Sequence, residues 1–148
     1  MKTVMTNDFL TDARFIFQKQ FKTAVAKRYM KMLLKARINS LDTALIALRD
    51  ENTKREIRIF LCWLFGQTRS KYALSALLDV IRYQDTRAAW EASKAVGIIG
   101  GKRLVQPLIA SLSVCREPDR RSAIAYALGL LGDKRATVRL VKILSDKT

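Results

Sequence analysis

The chain has 148 residues, 49% of them hydrophobic, and carries 28 Lys and Arg against 13 Asp and Glu for a formal net charge of +15. That length suits one domain, and histidine is absent altogether, which removes the commonest general base, the commonest nitrogen ligand for metals and every Ser-His or Cys-His nucleophile. The two cysteines, Cys62 and Cys115, lack C-x-x-C spacing and so suggest neither a disulfide framework nor a zinc site.

Met1 to Leu10 has no apolar central run and nowhere do 18 uninterrupted apolar residues occur, so a cytoplasmic protein without membrane insertion is expected. From Asn7 to Arg37 the pattern reads as one long or kinked helix. Phe15, Phe17, Phe21, Val25, Tyr29, Met32, Leu33 and Ala36 fall on its apolar side. Between Ala13 and Leu41 there is no acidic residue against eight basic ones, and Lys27, Lys31 and Lys35 recur at i, i+4, i+8. Like charges at that spacing cost helix stability, so the row, with Arg28 and Arg37 beside it, points to an anionic partner.

Asn39-Ser40 breaks the pattern, and a short helix with Asp42 near its start runs to Leu48. After a polar connection, Thr53 has the character of an N-cap, with Glu56 three residues on completing a capping box, for a helix over Lys54 to Phe65. Trp63 in this helix is read as packing, and Trp90 as buried against the preceding repeat. A second apolar helix ends at Ile81, with Gly66 in the turn position.

Thr86 to Leu112 then sets out a plan that Arg120 to Leu144 repeats: a small-residue helix, a turn (Gly100-Gly101-Lys102-Arg103, Gly132-Asp133-Lys134-Arg135), and a second apolar helix. The second helices end at Leu48, Ile81, Leu112 and Leu144, at spacings of 33, 31 and 32 residues, a period of stacked helix pairs. Gly97 and Gly129, inside helices that glycine weakens by about 1 kcal/mol, suggest close helix approach between repeats. Pro107 and Pro118 fit helix starts, and Asp133 fits a cap for the last helix.

Ala125-Tyr126-Ala127-Leu128-Gly129-Leu130-Leu131-Gly132-Asp133 resembles the HEAT-like repeat of phycobilisome lyases and bacterial scaffold proteins, and Ala95 to Gly101 follows the same pattern with Gly101 in place of the aspartate. The resemblance implies a structural pair between Asp133 and Arg139. It identifies a repeat rather than an activity, because such repeats are reused for many purposes.

The expectation is an all-α solenoid of about four HEAT-like hairpins (28–50, 53–84, 86–117, 120–146) with an extra N-terminal helix. Basic residues recur in the turns (Lys102, Arg103, Lys134, Arg135) and at the starts of first helices (Arg87, Arg120, Arg121), positions that align along the edges of a stack. With Lys27, Arg28, Lys31, Lys35 and Arg37 they mark the expected binding surface of a non-catalytic scaffold for an acidic protein or a nucleic acid, with no cofactor, metal or catalytic residue. The last hairpin is expected to be covered by a second copy or another protein. Two enzyme alternatives stand beside this reading. One is a HEAT-like DNA glycosylase, for which Trp90, Glu91 and Asp133 would supply the pocket; the other is a bilin lyase subunit.

Overall fold

In the computed structural model, residues 8–145 are described, the side chain of Leu144 excepted. Among them there are nine α-helices and no strand: α1 (Phe9–Gln20), α2 (Thr23–Lys35), α3 (Leu41–Arg49), α4 (Arg55–Thr68), α5 (Leu74–Tyr83), α6 (Thr86–Ile99), α7 (Val105–Val114), α8 (Pro118–Leu131) and α9 (Lys134–Ser145). None is long and apolar enough to cross a membrane.

The expected N-terminal helix is two helices. Its first position, Asn7, lies outside the described residues, and Phe21 and Lys22 take extended conformations that end α1 and begin α2. Phe21 is thereby freed to pack on Tyr29 and Trp63. Phe15 and Val25, expected on the apolar side, are exposed.

Local chemistry sets most of the other boundaries. Asp8 accepts N–H bonds from Leu10 and Thr11, Ser40 and Thr43 form a reciprocal capping box on α3, and Asp85 accepts from the Ala88 N–H. α6 and α8 stop at Gly100 and Gly132, whose φ of 80° and 64° are the left-handed values that glycine adopts without a Cβ penalty. α4 differs on both counts. It starts after Lys54 without a side-chain cap, so Thr53 is not the N-cap, and it runs through Gly66 to a left-handed Arg69. Gly66 is a buried helical residue rather than the turn, because its bare Cα lets α6 come close: a Cβ there would lie 3.2 Å from the Ala95 Cα.

α4, α6 and α8 lie adjacent in one layer, while α5 packs on α6 and on α3, and α7 packs on α8 and α9. α1 lies against α4 at the N-terminal end of the first layer, and α2 packs on α1. The core is continuous from Phe9 to Ala136 and is filled by fully buried Phe17, Leu33, Leu48, Leu61, Phe65, Leu77, Ile81, Leu108, Ile124 and Leu128 among others. At its N-terminal end Phe17, Phe21, Tyr29, Phe60 and Trp63 make an aromatic cluster, with Tyr29 stacked on Phe60 at 4.8 Å. Trp63 is packing, as its helical position suggested. Trp90 is half-buried and packs on Tyr126 of the following first-layer helix α8 at 5.1 Å.

Candidate functional site

α2 carries Ala26 and Leu33 into the core and leaves its opposite flank to solvent. Because Lys27, Lys31 and Lys35 fall one turn apart on that flank, their stems line one side of a groove of about 690 Å³ whose other wall is Arg14 and Gln18 of α1. Thr23, Ala26, Met30 and Leu34 make its floor, with Leu34 51% exposed. The groove therefore joins an apolar floor to four cations and no carboxylate. It can hold an elongated apolar molecule with acidic substituents, and its lining has no carboxylate, histidine or cysteine.

The structure sorts the expected basic residues into two groups. Lys27, Lys31 and Lys35 come together in the groove; Arg28 and Arg37 are exposed nearby, Arg37 in a left-handed conformation just after α2. Arg87, Lys102 and Lys134 are exposed on the repeats. The others are occupied. Arg103 donates to the Lys71 carbonyl at 3.3 Å, and Arg135 is bound to Asp133 through both carboxylate oxygens at 2.9 and 2.8 Å. Arg120 donates to the Ile81 and Gln84 carbonyls, each at 2.7 Å, and to Glu117 at 3.1 Å; Arg121 donates to the Leu112 and Cys115 carbonyls, each at 2.7 Å.

Arg120 and Arg121 thus cap the C-terminal carbonyls of α5 and α7. Arg58, 5% exposed, does the same for α3 through the carbonyls of Leu48 and Asp50. Arg58 and Arg121 are both the fourth residue of their helices, a shared register that is present in the sequence.

Asp133 caps α9 as expected, its Oδ1 accepting the Arg135 N–H at 2.9 Å. The hydrogen bond and charge of the Arg135 guanidinium hold its carboxyl down at about 2. It is not paired with Arg139, whose guanidinium instead donates to Ser113 Oγ at 2.8 Å, because Arg135 is nearer in sequence and already fills both carboxylate oxygens. Glu91 faces Lys94 at 3.6 Å and Trp90 is taken by Tyr126, so the groups considered for a glycosylase pocket are each spent on a local partner. Cys62 is fully buried, and desolvation pushes its thiol far up, away from the thiolate a nucleophile needs. Among the described residues no group of three His, Cys, Asp or Glu side chains is placed to hold a metal.

Residues 41–129 match the family model of HEAT repeats, and residues 120–146 that of the PBS lyase HEAT-like repeat. Among proteins, the chain is 28% identical over 117 residues to the bilin biosynthesis protein PecE of Mastigocladus laminosus and 29% identical over 116 residues to PecE of Nostoc sp.. Each alignment covers 74% of this chain, and 43% and 45% of the respective relative. It is also 33% identical over 99 residues to phycocyanobilin lyase subunit alpha of Picosynechococcus sp., covering 60% of this chain and 36% of that protein. The chain thus spans less than half the length of the relatives it matches. Their names overturn two expectations drawn from the sequence: that of a non-catalytic scaffold recognising an acidic protein or nucleic acid, and that of a protein with no part in an enzyme. They favour the bilin-lyase alternative.

Proposed function

The chain belongs to the HEAT-repeat family, and from that premise we propose that it is a bilin-handling component of a lyase, working with a protein partner as a subunit. Likeness to PecE and to a phycocyanobilin lyase subunit carries this reading. The α1–α2 groove supplies the chemistry for it. A bilin is an open-chain tetrapyrrole, elongated, largely apolar along its ring edges and bearing two propionate carboxylates. Met30, Leu34 and Ala26 would take the ring edges, and the Lys27, Lys31, Lys35 and Arg14 cations would take the carboxylates. Exposed ion pairs contribute only about 0.2–1 kcal/mol each, so affinity comes mainly from covering the floor, and the cations orient the pigment.

Within this reading the groove holds and orients the pigment through its apolar floor and its cations. Titrating the whole chain with phycocyanobilin, followed by visible absorbance, tests the proposal. A saturable change in the pigment spectrum is expected, weakened about tenfold or more (about 1.4 kcal/mol) when Lys27, Lys31 and Lys35 are replaced together by Glu. A spectrum indistinguishable from that of free pigment with protein in excess would remove the reading.

A further inference from the structure

The pigment reading of the α1–α2 surface leaves two exposed side chains unused. Phe15 is 55% exposed and lies outside the groove lining, beside Arg14 and one turn before Gln18, so it stands on the crest of α1 at the rim of the groove. Arg28 is exposed one turn before Lys31 and adds a further cation on α2.

Around them the surface carries one sign of charge. Arg14, Lys27, Lys31 and Lys35 line the groove, Lys22 is exposed just before α2, and no acidic residue occurs from Ala13 through Leu41. The lysines border an apolar floor that leaves Leu34 51% exposed. α2 therefore sets its cations directly beside an apolar residue that the core does not cover, and Phe15 is a second apolar projection from the neighbouring helix.

Exposed apolar side chains among cations, with no acid between them, suit a helix that lies on a charged interface. The apolar groups enter the boundary between headgroups and acyl chains, while Lys and Arg reach the phosphates. We infer that the α1–α2 surface adsorbs the chain to an anionic lipid bilayer, with Phe15 and Leu34 entering that boundary and Arg14, Arg28 and the three lysines on lipid phosphates. Charge selects this occupant. A second copy would bring +15 against +15, and a neutral apolar partner would desolvate these cations without a counter-charge. Adsorption needs no spanning segment, in keeping with described helices none of which is long and apolar enough to cross a membrane.

The inference goes beyond the pigment reading and does not rest on it. Vesicles of equal parts phosphatidylcholine and phosphatidylglycerol are sedimented with the whole chain in about 0.1 M salt. Binding is expected there, and at least about tenfold weaker binding on pure phosphatidylcholine. Lys27→Glu, Lys31→Glu and Lys35→Glu together should weaken it at least about tenfold. Lys71→Glu, Arg116→Glu and Lys142→Glu, an equal change of charge at exposed positions on the repeats, should weaken it no more than about threefold. Phe15→Gln with Leu34→Gln, which leaves every charge in place, should weaken it at least about fivefold. Glutamine is a good helix former and both sites are exposed, so this pair should fold, which a melting curve checks. Absence of binding by the parent, equal losses in the two charge-reversed variants, or full binding by the glutamine pair, the result expected of a site for a soluble acidic partner, would each overturn the inference. So would self-association of the parent without lipid that the glutamine pair abolishes. No pigment is present in this assay, so its failure leaves the phycocyanobilin titration standing, and failure of that titration leaves this one standing.

Discussion

At the scale of single residues, the helical glycines separate packing from propensity. Gly97 and Gly129 have the same sequence context, each one position after an apolar residue, and read alike as close-approach sites. Only Gly97 is one. Its missing Cβ makes room for the Leu130 Cβ, a group tied to the backbone that cannot swing aside, whereas Gly129 faces open space. Gly97→Ala should therefore destabilise by about 1–3 kcal/mol through overpacking. Gly129→Ala should stabilise by up to about 1 kcal/mol, the helix-propensity gain with nothing to oppose it. Chemical denaturation of the two variants checks the opposite signs. Asp133 adds a pH dependence. Its folded value of about 2 lies below the ordinary 3.8, so the stabilisation from its bond with Arg135 is fully present above about pH 4 and is lost as pH falls through 2. Asp133→Asn keeps a capping oxygen but removes the charge, so its melting temperature should fall less steeply between pH 4 and pH 2 than that of the parent.

At the scale of elements, the helix C-termini are held by arginines that reach in from other helices. Arg58 caps α3, Arg121 caps α7, and Arg120 crosses from α8 to cap α5, a helix whose own following first helix has Ala89 at the fourth position and so supplies no guanidinium. Charged hydrogen bonds to otherwise unpaired carbonyls are worth about 1.5–3 kcal/mol, and Arg121 serves two carbonyls from one nitrogen. Arg121→Ala should cost about that much in denaturant unfolding, with the hydrogen exchange of the last turn of α7 speeding up. This also marks what the sequence could and could not tell. The repeat period, the glycine stops of α6 and α8 and the Asp133 cap are local signals, so they were legible. The breaks at Phe21 and Arg69 were not, because each is set by tertiary contact: Phe21 by an aromatic cluster spread over three helices, and the Arg69 end by a Gly66 that belongs to the α6 interface. The basic residues looked uniform in sequence. Folding sets Arg58, Arg120 and Arg121 on helix-end carbonyls, gathers Lys27, Lys31 and Lys35 along one groove and leaves Arg87, Lys102 and Lys134 exposed, a division that depends on which carbonyls lie within reach.

At the scale of the whole molecule, a net charge of +15 on a chain of this length means that charge is retained against stability. α2 shows it most clearly. Lys27, Lys31 and Lys35 form two like-charged pairs at i, i+4, each costing about 0.2–0.5 kcal/mol, on a helix with no acidic residue in its first turn. The same three stems wall the groove over Met30 and Leu34, which is where the proposed pigment would spend its carboxylates. Stability and binding are then opposed at one position. Lys31→Glu turns both repulsive pairs into attractive ones and lowers the net charge by two, so it should raise the melting temperature. The gain should shrink on going from 0.01 M to 0.15 M salt, as the Debye length falls from about 30 Å to about 8 Å. The same substitution puts a carboxylate among the cations of the groove and should weaken phycocyanobilin binding severalfold at either salt concentration. A neutral control, Lys31→Gln, should fall between parent and Glu variant in both measurements. If Lys31→Glu stabilises the protein and leaves the pigment titration untouched, the lysine row is not where the carboxylates bind. If it destabilises the protein, the row is held by contacts other than those of an exposed helix flank. Only the combination of higher stability with weaker binding fits a cationic groove kept for its ligand.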